Sequence, residues 1–282
     1  MRTQSVDTSP DAERVLIGMI RRASISRRFG FVQSWTRSMI EGGKLNVKQV
    51  YPDSTSQDVE LLYAERQYGK DVADELRIAV QKHHMQFPVA FNFYAAFSPL
   101  IEILDNLNVL YALGGSLASS LYGMQRATLQ IDFIVALSQH HELFLTNGLA
   151  AHYFFHEQDV QIALKRKTSF TLIHLDSLLK VVVSLPELRA FDRQMLDRAH
   201  PLVLLEGYRP IPVLSPEDVV VLQLEQFKSS GEQADEVWYD LLGLLKVQAQ
   251  GLDLAALEKY ARVRDVATLL ERALVDAGLK EE

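Results

Sequence analysis

The 282-residue chain contains no cysteine. That excludes a disulfide framework, thiolate metal sites and a cysteine nucleophile. Glycine (14) and proline (9) are too sparse for collagen-like or proline-rich architecture. No stretch approaches the ~20 consecutive apolar residues of a membrane span. The opening segment, MRTQSVDTSPDAER, lacks the apolar run of a secretory signal. These absences predict a soluble, cytoplasmic protein. Positive charge is not in excess either. A formal net charge of −7 argues against a protein that simply coats nucleic acid. What is present is globular: 48% hydrophobic and 23% charged residues exclude a disordered chain. At this length about two domains are expected, and a large core can be buried without staples.

Charge is unevenly spread. Residues 1–90 hold 13 Lys+Arg against 11 Asp+Glu, and the remainder holds 16 against 25. This predicts a boundary near 87–98, and with it a helical module over 1–86, an α/β core over 87–213 and a helical region over 214–282 packed on the core. In the first part, Ser9 can cap a helix that has Pro10 at its first position. Val15, Leu16, Met19 and Ile20, then Phe29, Val32, Trp35, Met39 and Ile40, recur at helical spacing. A break is expected at Ser24–Ser26 and a stop at Gly42-Gly43. Arg21, Arg22, Arg27 and Arg28 fall on the polar side. They read either as a solvated face or as an anion or RNA contact. Thr55 followed by Asp58 predicts a capped helix running to about Val80. His83-His84 is a poor metal pair, because adjacent helical residues point in different directions. The aromatic segment 87–100 predicts packing between the parts, with Ser98-Pro99 restarting a helix to about Asn106.

Residues 108–185 alternate strand and helix signals, the α/β pattern. Strands are expected at Val109–Leu113 and Gln130–Leu137. Helices are expected at Leu117–Tyr122, Ser138–Asn147 and Asp159–Lys165. Phe170–Leu175 and Leu179–Leu185 predict paired strands around Asp176-Ser177. Beyond Leu214 the pattern is helical, opened by Ser215-Pro216-Glu217-Asp218, a cap with proline first and an acidic first turn.

The chemistry concentrates in LGGSLASSLYGMQRATLQIDFIVAL, residues 113–137. A strand ends in Gly114-Gly115-Ser116 and a helix begins, so backbone N–H groups are offered to a phosphate. A later strand carries Gln130 and Asp132, which share a face because alternate strand residues point the same way. This arrangement resembles the nucleotidyltransferase superfamily of the DNA polymerase β fold. The likeness extends to bacterial proteins related to abortive-infection and toxin–antitoxin nucleotidyltransferases. Their Gly-Gly then Arg-x-Thr-x-Asp-φ-Asp pattern matches Gly114-Gly115, Arg126, Thr128, Gln130 and Asp132. Their hairpin ending in Lys-Val-Asp is similar to FTLIHLDSLLKVVVSL (170–185), and their C-terminal helices to 214–248, with Trp238 and Asp240. The resemblance covers 105–282, with a weaker likeness over 10–85. It implies a small mixed sheet of nucleotidyltransferase topology flanked by helices. It also implies transfer of a nucleoside monophosphate from NTP to a hydroxyl, with three carboxylates holding Mg²⁺.

The departures from that pattern bear on activity. Gln130 stands at the first carboxylate position, Val182 at the third and Gln223 where a lysine is usual, so Asp132 is the one metal carboxylate kept. A glutamine amide is a neutral, weak ligand for a hard cation, and a valine side chain is no ligand. The leading expectation is therefore a degenerate nucleotidyltransferase-like protein that binds a nucleotide or a partner. Gly114, Gly115, Ser116, Arg126 and Lys180 are the candidate nucleotide contacts, and Asp132 the candidate catalytic and metal residue. Each has a plainer reading: Ser116 as a helix cap, Arg126 in a salt bridge such as one to Asp132, and Lys180 reaching to solvent. Two alternatives stay open. One is an active enzyme using Mg²⁺ and a relocated carboxylate, for which Asp176, Asp192 and Asp197 are considered, the last two expected to be exposed. The other is a non-enzymatic protein whose N-terminal helices bind a protein partner. His174 reads as a hydrogen-bonded structural residue in preference to a catalytic base. No nucleophile elbow, zinc-protease helix or P-loop is present.

Overall fold

The structure is a computed structural model and describes residues 3, 8–82, 91–187 and 190–281. In chain order its helices are α1 (Pro10–Arg22), α2 (Ile25–Val50), α3 (Ser56–Tyr68), α4 (Lys70–Lys82), α5 (Phe93–Asn106), α6 (Gly115–Tyr122), α7 (Glu142–Leu149), α8 (Glu157–Arg166), α9 (Ala190–Asp197), α10 (Pro216–Ser229), α11 (Asp235–Gln248), α12 (Leu254–Val263) and α13 (Ala267–Asp276). Its strands are β1 (Tyr111–Gly114), β2 (Gln130–Val135), β3 (Tyr153–Phe154), β4 (Ser169–His174), β5 (Lys180–Ser184), β6 (His200–Leu202) and β7 (Ile211–Val213). Among the described residues no helix is long and apolar enough to cross a membrane.

The chain divides into two compact units, both discontinuous in sequence. The first comprises 1–32, 112–126 and 188–282; the second comprises 33–111 and 127–187. The α/β class and the mixed sheet hold in each. In the second unit the strand order is β3-β4-β5-β2, with β5 parallel to β2 and antiparallel to β4. In the first unit the order is β1-β7-β6, with β1 parallel to β7 and β6 antiparallel to it.

The first unit is helical around its three short strands. Ser9 caps α1, accepting from Ala12 N at 3.2 Å, with Pro10 at the first position. Ile17 and Ile20 pack with Val247 of α11. Between the same two helices, Lys246 Nζ donates to Glu13 Oε1 at 3.1 Å, both side chains almost fully buried. Two of the four N-terminal arginines are used on helix ends, where the last carbonyls lack helical donors. Arg21 donates to the carbonyls of Lys246 (2.6 Å) and Val247 (2.9 Å), and Arg28 to those of Leu121 (2.8 Å) and Ile20 (3.1 Å). Ser215 caps α10 by accepting from Asp218 N at 3.1 Å, and Arg198 clasps the buried Asp218 at 2.6 Å. Asp192, expected to be exposed, is buried and paired with Arg264 at 3.0 Å; Asp197 is exposed.

The second unit departs from the sequence expectation at three breaks. First, α2 runs through Gly42-Gly43 to Val50. Gly43 serves close packing instead of termination: a Cβ there would lie 2.5 Å from Cε2 of Tyr63 on α3. Second, the helix expected from Thr55 to Val80 is two helices. Its start is the foreseen capping box of Thr55 and Asp58, but Gly69, at φ +86°, ends the first segment. Third, α5 starts at Phe93 under an Asn92 cap, and Pro99 lies inside it rather than at its head. Proline has no N–H and its ring crowds the preceding turn. The buried Tyr153 hydroxyl fills the opening, accepting from Leu100 N (3.2 Å) and donating to Ala96 O (2.9 Å). Phe97, from the same helix, meets Phe133 of β2 edge-on at 5.8 Å. His83-His84 and the start of the aromatic segment 87–100 lie outside the described residues.

Candidate functional site

In the first unit, β1 lies parallel to β7 with Leu113 opposite Val213, and Leu214 N donates to Leu113 O at 3.0 Å. Gly114 is extended and caps α6 without a side chain. Gly115 takes φ +61°, a backbone conformation that costs glycine nothing. Ser116 follows, half-buried, and the rest of α6 from Leu117 to Tyr122 is buried. This is the strand–turn–helix expected for residues 113–122.

Arg126 lies beyond α6, and the carboxylate it engages is Asp240 of α11. Its Nε donates to Asp240 Oδ2 at 2.7 Å, and its Nη1 lies 3.7 Å from Glu236. Asp240 is buried, and burial pushes its carboxyl up to about 6 against the pull of the guanidinium. Two residues before it, Trp238 is buried on Phe227 and donates from Nε1 to Asp276 Oδ2 at 3.0 Å. The Trp-x-Asp motif thus anchors α11 to α13 through the tryptophan and holds Arg126 through the aspartate.

In the second unit, Thr128 N donates to the Oγ1 of Thr36, a fully buried residue of α2, at 3.0 Å. The Thr128 hydroxyl donates to Gln130 O at 3.0 Å, fixing the entry into β2. Side chains on β2 then alternate, with Ile131, Phe133 and Val135 buried and Gln130, Asp132 and Ile134 half-buried. Strand β5 alternates in phase: Val181 and Val183 are buried, while Lys180, Val182 and Ser184 are half-buried. The parallel register sets Gln130 opposite Lys180 and Asp132 opposite Val182. The Gln130 amide nitrogen donates to Asp132 Oδ1. Asp132 makes a further interaction besides this one. The third-carboxylate position of the resemblance is therefore the direct neighbour of Asp132 on the same face, and it carries an isopropyl group.

The other carboxylates considered have different surroundings. Asp176 sits in the β4–β5 turn, 3.9 Å from His174 Nε2. His174 is buried, its Nδ1 is 2.9 Å from Ser177 Oγ, and its ring meets Tyr153 edge-on. Burial lowers its imidazole to about 4, with Asp176 pulling the other way. It is a neutral structural residue of the turn. Asp192 is bound by Arg264. Among the described residues no three of His, Cys, Asp and Glu are grouped to hold a metal ion. Sequence reading did not single out Thr36, Glu13 or Tyr153. Each acts through a partner more than 50 residues away, which local pattern does not carry.

No protein-family model and no curated protein sequence matches the chain. Among solved structures it is similar to an antigenic nucleotidyltransferase-like protein from Paracoccidioides brasiliensis, at 15% identity and a TM-score of 0.39, over 64% of this chain and 92% of that one. It is also similar to the antibiotic-resistance factor ANT(2'')-Ia, at 12% identity and a TM-score of 0.38, over 63% of this chain and 94% of that one.

Proposed function

We propose that this chain is a nucleotidyltransferase-like protein that has lost metal-dependent transfer and acts as a nucleotide- or partner-binding module. One observation carries the reading: the register that puts Val182 beside Asp132 and Gln130 two residues before it. The Mg²⁺ ions implied by the fold family need hard, anionic oxygen donors, and a two-metal centre needs several of them. Here the donor set on β2 and β5 is one carboxylate and one amide. The amide nitrogen is turned toward the carboxylate, and the third position is alkyl. These residues do not fit the group.

What remains suits binding. In the first unit the Gly114-Gly115-Ser116 turn, with Gly115 at φ +61° and α6 starting there, supports a phosphate contact through backbone N–H groups. In the second unit Lys180 keeps a positive charge on the strand face. The ion pair with Asp240 supports a scaffold role for Arg126. Of Arg21, Arg22, Arg27 and Arg28, the exposed Arg22 and Arg27 are the two not donating to helix-end carbonyls, which leaves them for an RNA contact. The toxin–antitoxin setting implied by the sequence resemblance supplies the partner-binding side of the reading.

Thermal unfolding with millimolar ATP, GTP, CTP or UTP tests it, in EDTA and in Mg²⁺ or Mn²⁺. Ligand at ~100 times its dissociation constant adds ~2.7 kcal/mol, a shift of several degrees for a chain of this size. Stabilisation without metal, together with no transfer of labelled NMP to the protein or to added RNA, is the expected result. Stabilisation that requires metal and disappears in Asp132→Ala would restore the enzyme reading.

A further inference from the structure

Strands β4, β5 and β2 hold their side chains in a grid fixed by register. One row runs Ile173, Lys180, Gln130. The next runs Thr171, Val182, Asp132, and the third Ser169, Ser184, Ile134. Because side chains alternate with period two, all nine lie on one face. Ile173 is buried in a cluster with Ala64, Leu76 and Leu178, which closes one corner. Lys180 is half-buried beside it and makes no hydrogen bond or ion pair among the described residues. Thr171 is exposed, Ser184 is half-buried, and both hydroxyls are available as donors.

An ammonium on a half-buried strand residue that makes no ion pair among the described residues favours an anion arriving from outside. In the carboxylate-bearing pattern that the sequence resembles, the same face would be strongly negative. Only bound divalent cations would then make it hospitable to phosphate. With Gln130 and Val182 in place of carboxylates, that repulsion is gone, and Lys180 offsets the charge of Asp132. We infer that this face binds the phosphates of a nucleoside triphosphate, or inorganic polyphosphate, in metal-free form, with Lys180 supplying the charge that a cation supplies elsewhere. The inference rests on the nucleotide-binding reading above and adds a sign to it: Mg²⁺ weakens binding. A Mg²⁺-complexed triphosphate carries less charge for Lys180 to attract, and its metal-bound waters find one carboxylate instead of three.

The test is calorimetric titration of the full chain with ATP and with inorganic triphosphate, each in EDTA and in excess Mg²⁺. Both ligands are expected to bind in EDTA, to compete with each other, and to weaken in Mg²⁺. Lys180→Gln should lower affinity about tenfold or more, the worth of one charge-assisted contact, while Lys180→Arg retains it. Unchanged unfolding midpoints check that both variants are folded. The double variant Gln130→Asp/Val182→Asp should reverse the Mg²⁺ effect. Tighter binding of Mg²⁺–ATP than of free ATP to the unmodified chain would overturn the inference and leave nucleotide binding standing. Wild-type affinity in Lys180→Gln would overturn it as well, as would ATP binding that triphosphate does not compete away. Failure of every ligand under every condition would overturn both readings.

Discussion

The helical end of the first unit and the β2–β5 face of the second treat charge in opposite ways. Around α10, α11 and α13 acidic residues are numerous and engaged: Glu13 with Lys246, Asp218 with Arg198, Asp192 and Glu225 with Arg264, Asp240 with Arg126. Where the pair is buried, as Glu13–Lys246 is, removing one charge takes away the complement of the other. On the β2–β5 face a single carboxylate is present, tied to an amide, with a valine in register and nearby a lysine without a partner among the described residues. Charge in the first place holds helices together. In the second, on the proposed reading, the charges that would hold a metal have gone from strands that keep their register. The comparison sets polar residues engaged in the fold against a face that the proposed function reads as having lost two-metal chemistry.

The sharpest way to break the comparison is to cut a buried pair. Glu13→Gln removes the carboxylate charge that faces the buried Lys246 and should cost about 3–5 kcal/mol in urea unfolding. The double variant Glu13→Leu/Lys246→Met should recover most of that loss. If Glu13→Gln is neutral, the pair does not fasten α1 to α11.

Acid should act next. His174 has a folded-state pKa below its unfolded value, so the unfolded chain binds the proton more readily. Stability is unaffected above pH 6.5 and falls as pH drops from 6.5 through about 4, by about 3 kcal/mol from this residue. His174→Gln should flatten that slope in a pH series of denaturation curves. An unchanged slope would show that the imidazole is not held neutral in the turn.

A smaller loss, about 1–3 kcal/mol, is expected for Tyr153→Phe, which leaves Leu100 N and Ala96 O without the bridging hydroxyl. Hydrogen exchange should show faster opening around Pro99. Unchanged exchange would mean that α5 closes the gap by itself.

The smallest stability effect is expected at the site. Val182→Asp, half-buried on an open strand face, should change stability by less than about 1 kcal/mol. A large loss would mean that Val182 is a packing residue, and the contrast between scaffold and site would fail there.

Much of this architecture was legible because its determinants are local. The Ser9 and Ser215 caps, the Thr55–Asp58 capping box and the β4–β5 hairpin each depend on residues within a few positions of one another. The register of Asp132 with Val182 extends that local logic, since the hairpin fixes the phase of β5. Strands β6 and β7 were not legible: each has three residues and a proline at its centre, Pro201 and Pro212, too short for an alternating pattern. Gly42-Gly43 misled because a glycine pair also serves close packing, and Tyr63 is 20 positions beyond Gly43. The arginines of α1 and α2 looked free for a ligand because the carbonyls that Arg21 and Arg28 cap lie mostly on distant helices. For the site, residue identities were visible in the sequence. The partner of Arg126 was not, being 114 positions away.

The central claim is that the β2–β5 face no longer holds a divalent metal, and direct metal titration tests it. Mn²⁺ binding to the purified chain would be followed by electron paramagnetic resonance, beside the Gln130→Asp/Val182→Asp variant. The account predicts no specific Mn²⁺ site on the unmodified chain and a gained site on the double variant. A specific Mn²⁺ site on the unmodified chain that disappears in Asp132→Asn would contradict it.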